Sequence, residues 1–158
     1  MTSTLRKLAL GTFLSVSALT AVTLTSCNKD DETCTVGLTG KDCKTEIRTS
    51  YYNSYKGNGT DNDGLTYTGF TAKFSSLGTD PTKMNLQLLD DKLASVNALT
   101  VTLTTNTAFN IDQKVSGDYT YTGTGTINES SCSLTITEKR AGITTTTTTY
   151  TFNNMVKQ

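Results

Sequence analysis

The chain has no histidine, no tryptophan and a single proline among its 158 residues. Without histidine it lacks the usual proton-transfer group near neutral pH and the common partner of a nucleophilic cysteine or serine. Charged residues make up only 18% of the sequence, and no basic stripe of the kind that binds nucleic acid is present. We therefore predict neither an enzyme nor a nucleic-acid-binding protein, with no catalytic residues, no metal and no cofactor.

The first 26 residues have the composition of a secretion signal. Arg6 and Lys7 form a short basic region, and a mostly small and apolar stretch covers residues 8–24. That stretch is short, rich in Ser and Thr and interrupted by Gly11, so a retained transmembrane helix is the weaker alternative. Removing residues 1–26 takes away two bases and no acid, which leaves 12 bases and 14 acids.

The segment Leu24-Thr25-Ser26-Cys27 ends this signal and resembles the lipobox of bacterial lipoproteins. The resemblance implies cleavage before Cys27 and acylation of that cysteine, which becomes the mature N-terminus. Each buried methylene contributes roughly 0.8 kcal/mol, so two or three acyl chains would hold the protein on a bilayer. The alternative is an ordinary cleavage site with a chance cysteine beside it.

A polar, acidic run, Asn28-Lys29-Asp30-Asp31-Glu32, follows Cys27. Its composition is typical of a solvated tether. The run also resembles the Lys-acidic-acidic signal of surface-exported lipoproteins in Bacteroidota-type bacteria. This resemblance implies an outer-membrane lipoprotein exposed at the cell surface.

The ten residues from Cys34 to Cys43 have the pattern C-x-x-G-x-x-G-x-x-C, which resembles the last loop of an EGF-like module. In that module the two cysteines pair, and an exported compartment permits disulfides, so we predict a bridge between Cys34 and Cys43. A metal site is the poorer alternative, because two thiolates without histidine make an incomplete ligand set. The other EGF cysteines are missing, so residues 27–50 are predicted to be a lipidated cysteine, a tether and a stapled spacer.

Residues 51–158 consist of short segments in which apolar and polar side chains alternate, separated by turn residues, which is typical of antiparallel strands. The predicted turns include Asp61-Asn62-Asp63-Gly64 and Asp90-Asp91-Lys92; the first lacks the further ligands of a calcium loop. The eight predicted strands are Asn53–Thr60, Leu65–Ser76, Met84–Leu89, Val96–Thr105, a segment from Phe109 to Val115, Tyr119–Ile127, Cys132–Lys139 and Ile143–Phe152.

Eight strands with short connections in roughly 100 residues predict an all-β domain, an up-and-down meander closed as a small barrel, because closure removes exposed sheet edges. A β-sandwich has the same strand pattern and is the alternative. Gly123 and Gly125 fall at inward positions, where they would permit a sharp bend. Cys132 falls on an apolar strand face, so we predict a buried, unreactive thiol.

Threonine is frequent on the polar faces of these strands, and residues 144–149 are six consecutive threonines. We predict solvated strand faces, because β-branched polar side chains favour extended backbone. An ice-binding threonine ladder is the alternative, but it would require a flat sheet.

The order of lipobox, acidic tether, one Cys-Gly-Gly-Cys loop and a meander containing Tyr119–Ile127 resembles the small lipocalin-like lipoproteins of Bacteroidota-type bacteria. The Gly-x-Trp signature of lipocalins proper is absent.

The expected function is that of a membrane-anchored binding protein with a small apolar ligand inside the barrel. The alternative is a structural or accessory subunit that binds another envelope protein through its outer face. A cavity of several hundred Å³ would favour the first, and a packed interior with an apolar outer patch the second, on the usual volume of a ligand pocket.

Overall fold

The structure is a computed structural model that describes residues 34–89 and 98–158. The described residues belong to one compact unit. The predicted signal peptide, Cys27, the acidic tether and the turn at Asp90-Asp91-Lys92 lie outside the described residues.

The cysteine-bounded segment forms the first elements. Two short strands, β1 (Leu38–Thr39) and β2 (Thr45–Glu46), pair antiparallel, and a 3-10 helix follows at Ile47–Tyr51. Gly37 and Gly40 have φ angles of +91° and +84°. Other residues are strained in this left-handed region, which explains why the two turns of the segment carry glycine.

The remaining eight strands form a closed antiparallel barrel in the order β10-β3-β4-β5-β6-β7-β8-β9. Each strand pairs with the next one in the chain, and β10 closes the barrel against β3. The predicted meander and its closure are therefore confirmed, and the sandwich alternative is excluded. The strands are β3 (Ser54–Asp61), β4 (Thr66–Ser76), β5 (Lys83–Leu89), β6 (Leu99–Leu103), β7 (Ala108–Ser116), β8 (Tyr119–Ile127), β9 (Ser131–Arg140) and β10 (Thr146–Lys157).

The last strand differs most from its predicted bounds, since it begins at Thr146 and continues to Lys157. A bulge between Phe152 and Met155 shifts the register, with Asn154 at a φ of +51°. The bulge places two core side chains three residues apart, so the two-residue period that marks a strand is interrupted there. For this reason the predicted strand ended at Phe152, whereas β10 continues to Lys157.

Alternate residues of every barrel strand point inward and pack into one core. Phe70 and Phe152 stack with ring centroids 3.8 Å apart, and Tyr55 meets Phe74 edge-on at 5.7 Å. Burial of each large apolar side chain contributes about 1.5–3 kcal/mol, so these contacts dominate the stability of the barrel. The largest side chains in the core are Tyr51, Tyr55, Phe70, Phe74, Phe109, Phe152, Met84, Leu86, Leu99, Ile127, Ile136 and Met155.

Candidate functional site

One end of the barrel, here called the plugged end, is covered by residues 34–53 and includes the connections 77–82, 104–107 and 128–130. Cys34 and Cys43 form a disulfide, as predicted. Asn106 fixes the bridged loop to the barrel: its Oδ1 accepts from the backbone N–H of Gly37 at 2.9 Å, and its Nδ2 donates to the carbonyl of Leu38 at 3.3 Å. The loop predicted as a spacer is thus packed against the barrel.

Arg48, in the 3-10 helix, holds the same end together and is 3% exposed. Its Nε donates to Glu46 at 2.8 Å, in the ion pair between these residues. Its guanidinium also donates to three backbone carbonyls around the β4–β5 connection, at 2.7–3.1 Å: Leu77, Gly78 and Lys83. No sequence pattern predicts this role of Arg48, because three of the four acceptors are main-chain groups that only the fold brings together.

Two tyrosines close the core beneath this plug. The Tyr51 hydroxyl donates to the carbonyl of Asn106, and the Tyr55 hydroxyl donates to the carbonyl of Asn128 at 3.1 Å. Burial first, and then nearby titratable groups, raise the pKa of Tyr55 to about 12. The hydroxyls therefore act as neutral donors that join the first residues of the domain to two of the connections.

The interior is filled even where the strands carry glycine. The Phe109 ring and the Ile111 side chain lie in the space that a Cβ would need at Gly125 and Gly123, their partners on β8. Each buried apolar side chain of the core is at most 7% exposed. A cavity of several hundred Å³ would leave the side chains around it with free surface, and the described core residues have almost none.

The other end, here called the tyrosine end, carries two carboxylates that bind tyrosine hydroxyls. The Tyr67 hydroxyl donates to Asp61 Oδ2 at 3.0 Å, and the hydroxyls of Tyr121 and Tyr150 hydrogen-bond with Glu138. Burial first, and then the charge of Glu138, raise the pKa of both Tyr121 and Tyr150 to about 12. The inward position of Glu138 on β9 could be inferred from strand alternation, but its tyrosine partners could not.

Asp61 also holds the β3–β4 turn, since its Oδ1 accepts from the backbone N–H groups of Asp63 and Leu65, both at 2.9 Å. Partial desolvation would raise the pKa of Asp61, but these hydrogen bonds and the one from Tyr67 lower it overall. The carboxylate is occupied by the turn, in agreement with the prediction of a turn at residues 61–64.

Four exposed apolar side chains lie at or next to the tyrosine end: Leu65, Leu89, Val115 and Ile143. Leu65 is 52% exposed in the β3–β4 turn, and Ile143 is fully exposed in the β9–β10 connection. These connections lie on either side of the first part of β10, where the backbone N–H of Asn62 donates to the carbonyl of Thr149 at 3.0 Å. Arg140, nearby on β9, has its guanidinium carbon 5.4 Å from the centroid of the Tyr119 ring.

The outer face of the barrel is polar and rich in threonine. Two open grooves of about 380 and 440 Å³ lie over β7, β8 and β9 and share Asn110, Thr124 and Thr135. One register-matched row runs around the barrel through seven strands: Thr102, Asn110, Thr124, Thr135, Thr151, Thr60 and Thr66. The row follows a closed barrel, so it lacks the flat sheet that an ice-binding ladder would require.

Cys132 lies in the core and is 1% exposed, as its strand position predicted. Burial raises the pKa of its thiol to about 12. A thiol in this setting stays protonated and is a poor nucleophile. Within residues 34–89 and 98–158, no three His, Cys, Asp or Glu side chains are placed to hold a metal ion.

None of the helices in the described parts of the chain is long and apolar enough to cross a membrane. Comparison with models of protein families, with curated proteins and with solved structures finds no match to this chain.

Proposed function

We propose that this protein is an outer-membrane lipoprotein, anchored by lipid on Cys27 and exposed at the cell surface, whose barrel is a non-catalytic binding module. The proposed address depends on the lipobox-like segment and the acidic run after it. The observation that supports the binding mode is the packed core, in which each of the buried apolar side chains is at most 7% exposed.

A filled core favours a partner on the outside of the barrel. Ligand pockets usually enclose about 300–1,000 Å³, and a cavity of that size would leave free surface on the side chains around it. The expectation of a small apolar ligand inside the barrel therefore has less support than its alternative, an accessory subunit that contacts another envelope protein. The two ends and the polar wall are the surfaces available for that contact.

A non-catalytic role is supported by the hydrogen bonds and the burial of the potentially reactive side chains. The chain has no histidine. Asp61 and Glu138 accept hydrogen bonds from tyrosines, and burial keeps the Cys132 thiol protonated. These groups are engaged in holding the fold, so none of them is placed to act as the base or nucleophile of a reaction.

Intact mass of the protein purified from its native membrane, measured before and after reduction, tests the anchor. We expect the loss of residues 1–26, a mass increase from acyl chains, and two further protons after reduction of the Cys34–Cys43 bond. An uncleaved or unacylated protein would overturn the proposed anchor.

Native mass spectrometry of the same preparation tests the binding mode. With a filled core, the spectrum should show no small apolar molecule retained in stoichiometric amount. A retained molecule that is released only when the barrel unfolds would instead support the interior-ligand alternative.

A further inference from the structure

Asn53 joins the plugged end to the first strand of the barrel. It lies two residues after the 3-10 helix, and its backbone carbonyl accepts from the N–H of Phe74 on β4 at 2.9 Å. The next carbonyl, that of Ser54, accepts from the N–H of Gln158 at 2.9 Å. The peptide bond between Asn53 and Ser54 therefore lies between two hydrogen bonds that connect β3 to β4 and to the end of the chain.

The side chain of Asn53 turns back onto the residue that follows it. Its Oδ1 accepts from the backbone N–H of Ser54 at 2.8 Å. Because an amide C=O bond is about 1.2 Å long, the Cγ atom of Asn53 lies within about 4 Å of the Ser54 nitrogen. Reacting atoms that a structure holds about 3–3.5 Å apart are close to an attack geometry. The fold thus brings a backbone nitrogen close to a side-chain carbonyl carbon.

We propose that Asn53 is a site of non-enzymatic deamidation in the folded protein. The Ser54 nitrogen, after losing its proton to hydroxide, bonds to Cγ of Asn53; the Cγ–Nδ2 bond breaks, and ammonia leaves with a proton from water. The product is a five-membered succinimide. Water then opens the ring to aspartate or, by attack at the main-chain carbonyl, to isoaspartate. Both residues are partly exposed, so water reaches the ring.

The residue sequence by itself would place this reaction at Asn58, because Gly59 has no side chain to hinder the attack. In the fold, Oδ1 of Asn58 accepts from the N–H of Gly69 on β4 at 3.0 Å. Gly59 is buried and pairs with residues of both neighbouring strands. The Asn58 amide is therefore held by another strand, and Gly59 is fixed in the sheet.

Other asparagines are also engaged away from the residue that follows them. Their Oδ1 atoms accept from backbone N–H groups two or more positions away, at 2.8–2.9 Å: Asn62, Asn106 and Asn128. Asn53 differs from them because its hydrogen-bond donor is the nitrogen that the reaction requires.

Isoaspartate at position 53 would change the connection between the plugged end and the barrel. The main chain would be longer by one methylene, and the carbonyl that accepts from Phe74 would become part of a free carboxylate. The hydrogen bonds to Phe74 and Gln158 could then not both keep their geometry. We expect the modified protein to be loosened at the plugged end.

Peptide mapping by mass spectrometry tests the site. The full-length protein is incubated in mildly alkaline buffer, one sample folded and one in denaturant, and the conversion of each asparagine is followed with time. The ratio of conversion at Asn53 to conversion at Asn58 should be at least about tenfold higher in the folded sample, because only the fold holds Asn53 near the Ser54 nitrogen. An equal ratio in the two samples, or faster conversion at Asn58 in the folded protein, would overturn the proposal.

Asn53→Gln is the matched variant, since it keeps the amide and adds one methylene between it and the backbone. Conversion at position 53 should be lost in this variant, while conversion at Asn58 stays as in the native protein; undiminished conversion at position 53 would overturn the proposed attack. The fraction of native protein that carries isoaspartate at position 53 should have a lower Tm than the unmodified fraction. An equal Tm would contradict the expected loosening of the plugged end.

Discussion

Phe109 lies opposite Gly125 on the neighbouring strand, and its ring occupies the space that a side chain at residue 125 would need. The ring carbon Cε2 is 2.8 Å from the Cβ position at Gly125, and the carbonyl oxygen of Ser133 is 2.6 Å away on the other side. Gly59 and Phe152 form a second pair of this kind. An aromatic ring over a strand glycine fills the space that the missing side chain would leave in the core.

Substitution of this glycine should cost stability. Gly125→Ala pushes a methyl group into the Phe109 ring and the Ser133 carbonyl, so we expect a loss of about 1–3 kcal/mol in the free energy of unfolding. Urea denaturation measures it, and Gly142→Ala is the matched control because the nearest atom to its Cβ position is 3.6 Å away. Phe109→Leu should cost less in the Gly125→Ala background than in the native one. Similar losses for Gly125→Ala and Gly142→Ala would contradict the close contact.

The disulfide should stabilise the plugged end. Replacing Cys34 and Cys43 together with serine removes a bridge that closes a loop of about ten residues, worth roughly 2–3 kcal/mol in the unfolding free energy. Thermal unfolding with and without reductant measures the effect. Reductant should lower the stability of the native protein to that of the double variant and leave the variant unchanged. A stability of the double variant equal to the native value would show that the loop is held by its contacts alone.

Arg48 should tolerate no conservative replacement. Lysine has a single donor group, which cannot reach Glu46 and three carbonyls in different directions, so Arg48→Lys should lose about 2–4 kcal/mol of unfolding free energy. Lys44→Met, at an exposed position of the same segment, is the control and should change stability by less than about 0.5 kcal/mol. Denaturant unfolding of both variants measures the two changes in the free energy of unfolding. A mild effect of Arg48→Lys would mean that water can replace the lost donors.

Alkaline titration should reveal the buried tyrosines. Tyr55, Tyr121 and Tyr150 each have a pKa of about 12 in the folded protein. An unfolded tyrosine titrates at about 10, so the stability that these phenols contribute is complete below pH 10 and is lost as the pH rises toward 12. Phenolate absorbance measures the titration. Glu138→Gln should lower the pKa of Tyr121 and Tyr150 and leave Tyr55 unchanged; a shift in Tyr55 would point to general loosening of the core.

The number of cysteines that react with a maleimide tests both the burial of Cys132 and the acylation of Cys27. Cys132 is buried and its pKa is raised to about 12, so this residue should not react with a maleimide in the folded protein at neutral pH. After unfolding without reductant, one thiol should react if Cys27 carries lipid, and two if it is free. Rapid labelling of Cys132 in the folded protein, located by peptide mapping, would contradict its burial.

The strand pattern could be predicted because alternation and turn chemistry are local. The Asp61–Gly64 turn and the inward set on β9 follow from residues next to one another in the chain. The predicted bounds were wrong at β10, where the bulge before Met155 changes the period. The contacts of residues 34–50 with the barrel were not predicted, because no spacing in the sequence indicates them. The roles of Arg48 and Asn106 depend on backbone groups far away in sequence.

The eight barrel strands, the all-β class and the burial of Cys132 could be predicted from the sequence alone because each depends on side-chain periodicity, and the Cys34–Cys43 bridge was implied by the resemblance of its loop to an EGF-like module. Only the tertiary structure decided that the barrel is closed, that the described core residues are packed together, that the stapled loop plugs one end, and that Glu138 meets two tyrosines. These features arise from strand register and barrel closure, which bring together residues as distant as Gly37 and Asn106. Register and closure are set by the packing of the whole core, and no single segment carries that information.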